Sequence, residues 1–539
     1  MDGETVKRIC VTGAGGFIGS HLVKRLRADG HWVRGVDIKL PEYDESAANE
    51  FKILDLRDQE NCRTACSSMD EVYNLAADMG GISYITQYLA DIARNNILIN
   101  AHMVDAARYW MVKKFLFSSS ACVYAQSKQH DSNVLPLKEE DAYPAEPEPG
   151  YGWEKLFAEQ LCDYYRRDHK LDVRVVRFHN VYGPLGTYDG GKEKAPAAIC
   201  RKVALATDEI EIWGDGQQTR SFMYIDDCVE GLIRLMNSDY TQPLNLGTDE
   251  LVSVDELVDK VSAIAGKKLF KKHDPSKPQG VRGRNSDNSR LREILGWEPR
   301  IHLDEGLKPT YEWIANETLR PDRLYGNFIN PGDLVFDVGA NIGNRTEIFL
   351  RLGARVVAVE PQQSCVDSLK ERFLGKSVKV CNVAAGEVTD ERCLMLAEDR
   401  GCASLNPEWI AAVKKTNRFG GNIWTGVSEM VPLSTLDHLI ELFGVPNFIK
   451  IDVEGSEHLV LAGLSQPINM SFEFHPEFLS STEQCVRRLM ALGPATFNYS
   501  LKESMEFASP RWMPGDDLLR SLALYSGDNV VYGDVYAKF

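Results

Sequence analysis

Hydrophobic residues in the first part of the chain follow two alternating patterns. Short apolar runs rich in β-branched residues occur at 8–12, 32–37, 72–76, 114–119 and 173–178. The stretches between them carry apolar residues every three or four positions. The runs predict β-strands and the stretches predict helices. This alternation is typical of a doubly wound α/β fold, in which ligands bind at the carboxyl ends of parallel strands.

The same alternation returns in the second half of the chain, from Asp333 to about Glu477. A helical pattern at 306–314 comes before it, followed by polar residues and Pro321, as is typical of a linker. The tail after Gly515 ends in alternating residues that predict a final pair of strands. We therefore predict three segments: an α/β domain with a small substrate subdomain over 1–318, a linker over 319–330, and a second Rossmann-like domain over 331–539.

Composition narrows the class of protein. The chain has 539 residues, is 44% hydrophobic and carries a formal net charge of −17. This charge argues against a nucleic-acid or membrane-surface partner, and no apolar run approaches the ~20 residues of a membrane span. The 12 cysteines lack C-x-x-C spacing, so we expect reduced thiols and no metal site. The charged start predicts no signal peptide, and we expect a cytoplasmic protein.

Two glycine-rich turns each follow an apolar run and precede a second run that ends in an acidic residue. Glycines let the backbone approach a cofactor, and the acid pairs with ribose hydroxyls. The two turns predict two pockets for two different cofactors. The acid that follows the first turn, Asp37, also favours NAD, because a carboxylate repels the ribose phosphate of NADP. The first set is Gly13, Gly16, Phe17, Ile18 and Gly19 with Asp37; the second is Asp337, Gly339, Asn341 and Gly343 with Glu360.

A third motif adds candidate catalytic groups. Tyr151 and Lys155 are spaced to share one face of a helix, where the lysine can lower the phenol pKa from about 10 toward neutrality. An apolar run that ends in hydroxyl residues at Ser120 precedes them. With the first glycine turn, these motifs resemble the extended short-chain dehydrogenases/reductases. That resemblance implies an NAD-binding Rossmann fold in which Lys155 also binds the nicotinamide ribose.

Six further stretches resemble one family of that superfamily, the GDP-mannose 3,5-epimerases, over about residues 5–315. The resemblance implies that the Tyr151 phenolate removes the proton of the sugar C4 hydroxyl, while NAD takes the hydride and later returns it. Ser120 would hydrogen-bond the C4 oxygen. Cys122 and Lys194 would be the acid and base that invert carbons 3 and 5. NAD would stay tightly bound and be recycled. The stretches begin at Ala76, Ser119, Arg177, Gly190, Trp213 and Val281.

The same resemblance implies further binding contacts. Asp55 is expected at the adenine edge of NAD, and arginines suit the diphosphate because their fork is bidentate. GDP-mannose and GDP-linked hexoses are the expected substrates, and a homodimer through this half is favoured. The expected substrate contacts are Gly80, Gly81, Ser120, Ala121, Cys122, Asn180, Glu193, Lys194, Ala195, Lys202, Gln218, Thr219, Arg220 and Arg284.

The second glycine turn resembles the S-adenosylmethionine turn of class I methyltransferases. Two later segments, 431–437 and 448–457, resemble the FkbM methyltransferases, and the resemblance spans about residues 325–535. It implies that Gly339 and Gly343 admit the methionine part of S-adenosylmethionine and that Glu360 binds its ribose.

Three residues near the ends of later strands are candidates for the methyl-transfer step. Asp452 or Glu454 is expected to orient an acceptor hydroxyl, because Asp452 follows an apolar strand at the ligand-binding edge. His475 is either the general base for that hydroxyl or a structural histidine at a strand end.

Together these inferences predict a bifunctional enzyme. The first half is expected to convert GDP-mannose into GDP-L-galactose, with GDP-L-gulose as a further product, and the second to O-methylate a sugar such as that product. One alternative is a 4-epimerase or 4,6-dehydratase in the first half. A 4-epimerase has no need of Cys122 and Lys194, and a dehydratase needs an acid pair in place of Ala121 and Cys122. The other alternative is a non-catalytic binding or dimerisation module in the second half.

Overall fold

The computed structural model describes residues 6–277, 280–419, 423–528 and 530–539. The chain divides into two compact units, Met1–Thr318 and Leu319–Phe539. Among the described helices, none combines the length and apolarity that a membrane crossing requires.

The first unit contains a large parallel sheet and smaller sheets beside it. Its strands are β1 (Arg8–Thr12), β2 (Trp32–Asp37), β3 (Glu50–Ile53), β4 (Glu71–Asn74), β5 (Lys114–Ser120), β6 (Val173–Phe178), β7 (Asn180–Tyr182), β8 (Glu209–Trp213), β9 (Thr219–Tyr224), β10 (Pro243–Leu246), β11 (Leu251–Ser253), β12 (Phe270–Asp274) and β13 (Gly283–Arg284). In the described residues the main sheet has the order β10-β6-β5-β4-β1-β2-β3, and every neighbouring pair in it is parallel. The predicted doubly wound α/β fold is confirmed.

The described helices of this unit pack against the main sheet, against the smaller sheets or against other helices. They are α1 (Phe17–Ala28), α2 (Gln59–Cys66), α3 (Ile82–Gln87), α4 (Leu89–Tyr109), α5 (Tyr151–His169), α6 (Ala195–Leu205), α7 (Ile225–Asn237), α8 (Val254–Ile264), α9 (Ser289–Leu295) and α10 (Leu303–Tyr325). On β1, Ile9 and Val11 belong to one core and Cys10 to the other. Side chains alternate across a strand, so a run that is apolar throughout marks a strand buried on both faces.

The second unit is also built on a largely parallel sheet, but the strand pairs at one edge of that sheet are antiparallel. Its strands are β14 (Leu334–Val338), β15 (Arg355–Val359), β16 (Val378–Cys381), β17 (Ala384–Ala385), β18 (Asp390–Ala397), β19 (Trp424–Ser434), β20 (Phe448–Ile451), β21 (Met470–Phe474), β22 (Thr496–Leu501) and β23 (Gly533–Lys538). Its helices are α11 (Asn344–Arg351), α12 (Gln363–Arg372), α13 (Pro407–Thr416), α14 (Leu436–Phe443), α15 (Glu457–Ala462), α16 (Leu479–Leu492) and α17 (Gly515–Ala523). Across the described residues the main sheet runs β16-β15-β14-β20-β21-β23-β22.

The prediction for the tail is wrong in one respect. The residues after Gly515 form α17 and the single strand β23, which lies antiparallel between β21 and β22. The alternating pattern correctly marks a strand, but its partners come from earlier in the chain. Periodicity identifies strands without identifying which strands pair.

Part of the predicted linker is helical. α10 continues to Tyr325, so residues 319–325 lie in the same helix as the predicted 306–314 segment. The polar side chains in this stretch are mostly good helix formers, and polarity alone does not end a helix. Leu307 and Ile314 belong to a core of the first unit, while Leu324 and Tyr325 belong to a core of the second.

Candidate active sites

The first glycine turn joins β1 to α1 at the carboxyl edge of the first sheet. Gly13 has a φ of +68°, and a Cβ on Gly19 would overlap the Gly13 carbonyl oxygen. Only glycine therefore permits this close packing. The Asp37 carboxylate accepts a hydrogen bond from the Gly15 amide at 2.9 Å, which fixes the acid beside the turn. Phe17 and Ile18 begin α1, whose free amides face this edge.

The residues around Lys155 fit a bound dinucleotide. The Lys155 ammonium is buried and has no hydrogen-bond acceptor among the described residues. It lies 5.5 Å from the centre of the Tyr151 ring and 3.8 Å from the Glu154 carboxylate. A buried ammonium without an acceptor is costly, and a ribose diol would satisfy it. Asp55 lies exposed just past β3 and pairs with Arg57 at 2.6 Å.

Tyr151, Ser120 and Cys122 meet where β5 ends and α5 begins. The Cys122 amide donates to Ser120 Oγ at 3.2 Å, and the adjacent Ala121 is buried. Tyr151 packs in one apolar cluster with Cys122. The pKa of Tyr151 is not lowered toward neutrality by Lys155 as expected: burial raises it well above its usual range, with the nearby Glu154 adding to the effect. Burial also raises the pKa of the Cys122 thiol to about 11, and the Glu148 carboxylate adds to this.

The loop before α6 contacts Gly81 and brings Lys194 near enough to Cys122 for their charges to interact. The Gly81 amide donates to the Lys192 carbonyl at 3.0 Å, and a Cβ on Gly81 would lie 2.8 Å from the Glu193 carbonyl oxygen. Lys194 stands immediately before α6, which begins at Ala195. Its side chain remains accessible to solvent, yet the atoms packed around the ammonium desolvate it and lower its pKa. Gly80 is the neighbour of Gly81 in this loop.

Arg220 is partly buried and forms no ion pair with an acidic side chain among the described residues, although the Glu148 carboxylate is near enough to act on its charge. Its guanidinium donates to the carbonyls of Thr219 and Val281, each at 2.6 Å. Loss of hydration around the guanidinium lowers its pKa to about 9, and the nearby Arg284 contributes. A partly buried cation that donates to carbonyl oxygens fits an anionic ligand such as a diphosphate.

Three other predicted substrate residues bond to protein groups. Asn180 donates to the Ser221 carbonyl at 3.1 Å, and Gln218 donates to the Trp213 carbonyl at 2.8 Å. Lys202 lies 3.2 Å from a Glu211 carboxylate oxygen, so any contact with a ligand competes with that ion pair.

Arg284 lies on β13 opposite Arg220 of β9, and it bonds to protein groups beside Cys122. The sequence analysis assigns it to the substrate, but its guanidinium donates to Glu148 and, at 2.6 Å, to Gln129. One guanidinium nitrogen lies 3.7 Å from Cys122 Sγ. The structure thus brings Arg284 next to the thiol, where its charge acts on Cys122.

The second unit has a cleft at the carboxyl edge of its sheet. Gly339 and Gly343 have φ values of +82° and +90°, and a Cβ on Gly339 would overlap the Asp452 carbonyl oxygen. The Glu360 carboxylate accepts from the amides of Asn341 and Gln362, each at 2.9 Å. The described lining includes Gly339, Asn341, Glu360, Gln362, Leu394, Arg400, Asp452 and Glu454.

Asp337 lies near the end of β14, the strand that leads into the Gly339 turn of this cleft. It is 1% exposed and accepts a hydrogen bond from Thr346 Oγ1 at 2.5 Å. Burial raises its pKa to about 6. Its carboxyl does not line the cleft in the described residues, so its contacts are with the α11 helix rather than with open space.

Acidic groups meet at one end of the cleft. Burial opposes ionisation of Asp452, but the charges of Lys450 and Arg345, together with hydrogen bonds from Lys450 and Glu473, outweigh it and hold the pKa of that carboxyl below its usual value. Lys450 Nζ lies 3.3 Å from Asp452 and 2.8 Å from Asp534. Burial and the charge of Asp452 raise the pKa values of Glu454 and Glu473 well above the usual range. The group therefore combines one carboxylate with protonated carboxyls.

His475 lies beside these acids. Its Nδ1 accepts from the Trp409 indole N–H at 3.4 Å, so the ring proton of neutral His475 resides on Nε2, which lies 3.7 Å from Glu473. Burial lowers the pKa of His475 to about 4. Donor atoms of Glu454, Glu473 and His475 all lie within 4.8 Å of one another, as metal ligands do. The cysteine-based expectation of no metal did not consider these residues, which lie at the carboxyl ends of two different strands, β20 and β21.

Several site residues escaped the sequence analysis. Glu148 lies in a Pro-rich acidic stretch that resembles a surface loop, and Glu154 occupies an ordinary helical position beside Lys155. Glu473 alternates with apolar strand residues and carries no spacing signal of its own, whereas Lys450 belongs to the 448–457 segment but was given no role there. Gln362 follows Glu360 closely, and its proximity to that acid was the one available clue.

Comparison with known families assigns each unit. Residues 9–247 match the NAD dependent epimerase/dehydratase family. Residues 337–495 match the methyltransferase FkbM domain. The resemblances predicted from the sequence motifs are thereby confirmed.

Individual relatives match the first unit. The chain is 48% identical over 325 residues to the GDP-mannose 3,5-epimerase of Arabidopsis thaliana, covering 60% of this chain and 86% of that protein. The UDP-glucose 4-epimerase of Thermotoga maritima with UDP-glucose has a TM-score of 0.52 at 29% identity, covering 57% and 98%. The UDP-glucuronic acid 4-epimerase of Bacillus cereus, in complex with UDP-glucuronic acid and NAD, has a TM-score of 0.50 at 26% identity, covering 57% and 98%.

Proposed function

The chain belongs, through its first unit, to the GDP-mannose 3,5-epimerase family, and from that premise we propose that it is a bifunctional nucleotide-sugar enzyme. The first unit epimerises GDP-mannose at carbons 3 and 5 to GDP-L-galactose, with GDP-L-gulose as a further product. The second unit transfers a methyl group from S-adenosylmethionine to a sugar hydroxyl. The observation that carries the first assignment is the packing of Tyr151 against Cys122, with Lys194 near enough to the thiol for their charges to interact.

The epimerase residues have separable tasks. When bound, NAD accepts a hydride from sugar carbon 4 and returns it. Tyr151 takes the proton of the C4 hydroxyl, with Ser120 bonded to the C4 oxygen and Lys155 holding the ribose. The 4-keto group acidifies the hydrogens on carbons 3 and 5. Cys122 and Lys194 remove and return those protons from opposite ring faces, which inverts both centres.

The distribution of charge supports binding of a nucleotide diphosphate sugar. Arg220 provides a partly buried cation that donates to two carbonyls and forms no ion pair among the described residues. Gly80, Gly81, Asn180 and Glu193 border the sugar, and Gln218, Thr219 and Lys202 lie toward the nucleotide.

Solvent deuterium tests the epimerase assignment. The protein is incubated with GDP-mannose in D₂O, and the sugar is analysed by NMR. Deuterium at carbons 3 and 5 is expected, because both protons exchange through Cys122 and Lys194. Recovery of unlabelled sugar would favour a 4-epimerase instead, and deuterium at carbon 5 alone in a product that has lost water would favour a 4,6-dehydratase.

The methyltransferase site uses the cleft of the second unit. S-adenosylmethionine, when bound, supplies the methyl group, and Glu360 binds its ribose beside the Gly339–Gly343 turn. Asp452 orients the acceptor hydroxyl by accepting a hydrogen bond from it, since the charge of Lys450 helps to keep the Asp452 carboxyl ionised. His475, with its proton on Nε2, donates a hydrogen bond instead of removing a proton.

Two measurements test the second unit. Calorimetric titration with S-adenosylmethionine is expected to show binding, and its absence would leave a non-catalytic module. Incubation with GDP-mannose and S-adenosylmethionine is expected to yield a nucleotide sugar heavier by one methyl group. A product without that mass gain would exclude the epimerised sugar as acceptor.

A homodimer through the first unit is the proposed assembly. Trp153, Phe157 and Tyr164 are each about half exposed, and their spacing places them on one face of α5. Changing Trp153 and Phe157 to Glu is expected to halve the mass measured by light scattering. Leu135→Glu, an exposed apolar site in a loop, is the control. A parent protein that is already monomeric would contradict this assembly.

A further inference from the structure

The Glu148 carboxylate is a charged group that the epimerase chemistry described above does not use. It lies in the loop before α5 and is largely buried, with its side chain 12% exposed. Its amide donates to the Cys122 carbonyl at 3.0 Å, so the main chain fixes it beside the thiol. Its side chain forms an ion pair with Arg284.

Arg284 connects this carboxylate to Cys122. One guanidinium nitrogen lies 3.7 Å from Cys122 Sγ, another binds Glu148, and a third donates to Gln129 at 2.6 Å. Gln129 is fully buried and bonded to the carbonyls of Tyr124 and Ala125. Each of the three guanidinium nitrogens thus has an acceptor, and the geometry holds two opposite charges beside one sulfur.

We infer that Glu148 is a positioning residue for the epimerase reaction: it orients Arg284 on Cys122 and, by its negative charge, keeps the thiol protonated until substrate binds. This inference rests on the role proposed above for Cys122. The charged and titratable groups around the sulfur are Glu148 from the loop before α5, Arg284 from β13, Tyr151 from α5, Lys194 from the loop before α6 and Arg220 from β9.

The direction of the effect follows from the charges. A carboxylate beside a thiol disfavours the thiolate, and a guanidinium favours it. Glu148 and Arg284 therefore act on Cys122 with opposite signs. Glu148→Gln removes the negative charge and leaves Arg284 unbalanced, so the thiol pKa falls. Arg284→Gln leaves the negative charge unbalanced, so the thiol pKa rises. A purely structural role for Glu148 predicts no such opposite shifts.

The absorbance of the thiolate at 240 nm measures the pKa of the Cys122 thiol without substrate. The pH titration of each protein is compared with that of the same protein carrying Cys122→Ser, so that the other cysteines cancel. Glu148→Gln is expected to lower the Cys122 pKa by about one unit or more, and Arg284→Gln is expected to raise it. Glu146→Gln, an exposed charge in the same loop bonded to Ser127, is the matched control and is expected to cause no shift.

Activity gives the second readout. The pH profile of deuterium exchange at sugar carbons 3 and 5 is expected to move to lower pH in Glu148→Gln and to stay in place in Glu146→Gln. An unshifted thiol titration in Glu148→Gln, or shifts of the same sign in the two variants, would overturn the inference. If Glu148→Gln does not fold, a lowered or unchanged thiol pKa in Arg284→Gln would likewise overturn it. A parent protein without exchange would overturn the proposed epimerase function but leave the titration test intact.

Discussion

At the scale of single residues, the buried carboxyl of Asp337 affects stability in a pH-dependent way. Its pKa is raised from 3.8 to about 6 by burial, so the folded state binds the proton more tightly than the unfolded chain. The penalty is absent below pH 3.8, develops as pH rises, and is complete above pH 6. Two pKa units correspond to about 3 kcal/mol.

Asp337→Asn is therefore expected to stabilise the second unit at alkaline pH. The amide oxygen can still accept from Thr346, while the ionisation penalty disappears. The gain in unfolding free energy should be about 3 kcal/mol at pH 8 and about half of that at pH 5. Calorimetric unfolding at both pH values measures it, with the transition of the first unit as internal control. A gain that does not depend on pH would contradict the raised pKa.

Residue identity alone could not assign Arg284. The motif around it suggests a ligand-binding arginine, but its guanidinium is occupied by Glu148 and Gln129. Glu148 lies 136 positions earlier in the chain, so no local spacing connects the two. The acidic group that sets the environment of Cys122 becomes visible only when the chain is folded.

At the scale of elements, the turn between β14 and α11 depends on one close approach. A Cβ on Gly339 would overlap the Asp452 carbonyl oxygen just past β20, whereas the space around Gly332 is open. Both glycines have positive φ, +82° and +91° respectively. The two positions therefore separate the effect of backbone conformation from the effect of crowding.

Gly339→Ala is expected to reduce S-adenosylmethionine affinity at least ~10-fold and to destabilise the second unit by about 1–3 kcal/mol, because the turn must move away from Asp452. Gly332→Ala carries the same positive-φ strain and should leave affinity within twofold. Calorimetric titration and urea unfolding measure the two effects. Equal losses in both variants would mean that backbone strain, and not the approach to Asp452, is responsible.

At the scale of the whole molecule, the two sites belong to units with separate cores. The cores of the first unit and those of the second have no described residue in common. α10 supplies residues to both units in sequence, so the covalent connection is a helix up to Tyr325. A change confined to one site is therefore expected to leave the chemistry of the other unaffected.

Tyr151→Phe and Glu360→Gln test that independence. Tyr151→Phe should slow deuterium exchange at least ~100-fold by removing the C4 acid–base group, with S-adenosylmethionine affinity unchanged. Glu360→Gln should weaken S-adenosylmethionine ~10-fold or more by removing a charged hydrogen-bond acceptor, with exchange unchanged. Both variants are assayed in both reactions. A loss in the untouched unit would show that the two sites are coupled.

The sequence by itself determined the two α/β units, their glycine turns and the candidate residues that follow individual strands. These features are local: strand periodicity, turn glycines and an acid at a strand end are written within a few tens of residues. Only the tertiary structure decided that Glu148 and Arg284 meet at Cys122, that Trp409 fixes the proton of His475, and that β23 lies between β21 and β22. Burial and charge act through space, and the residues responsible lie far apart in the chain.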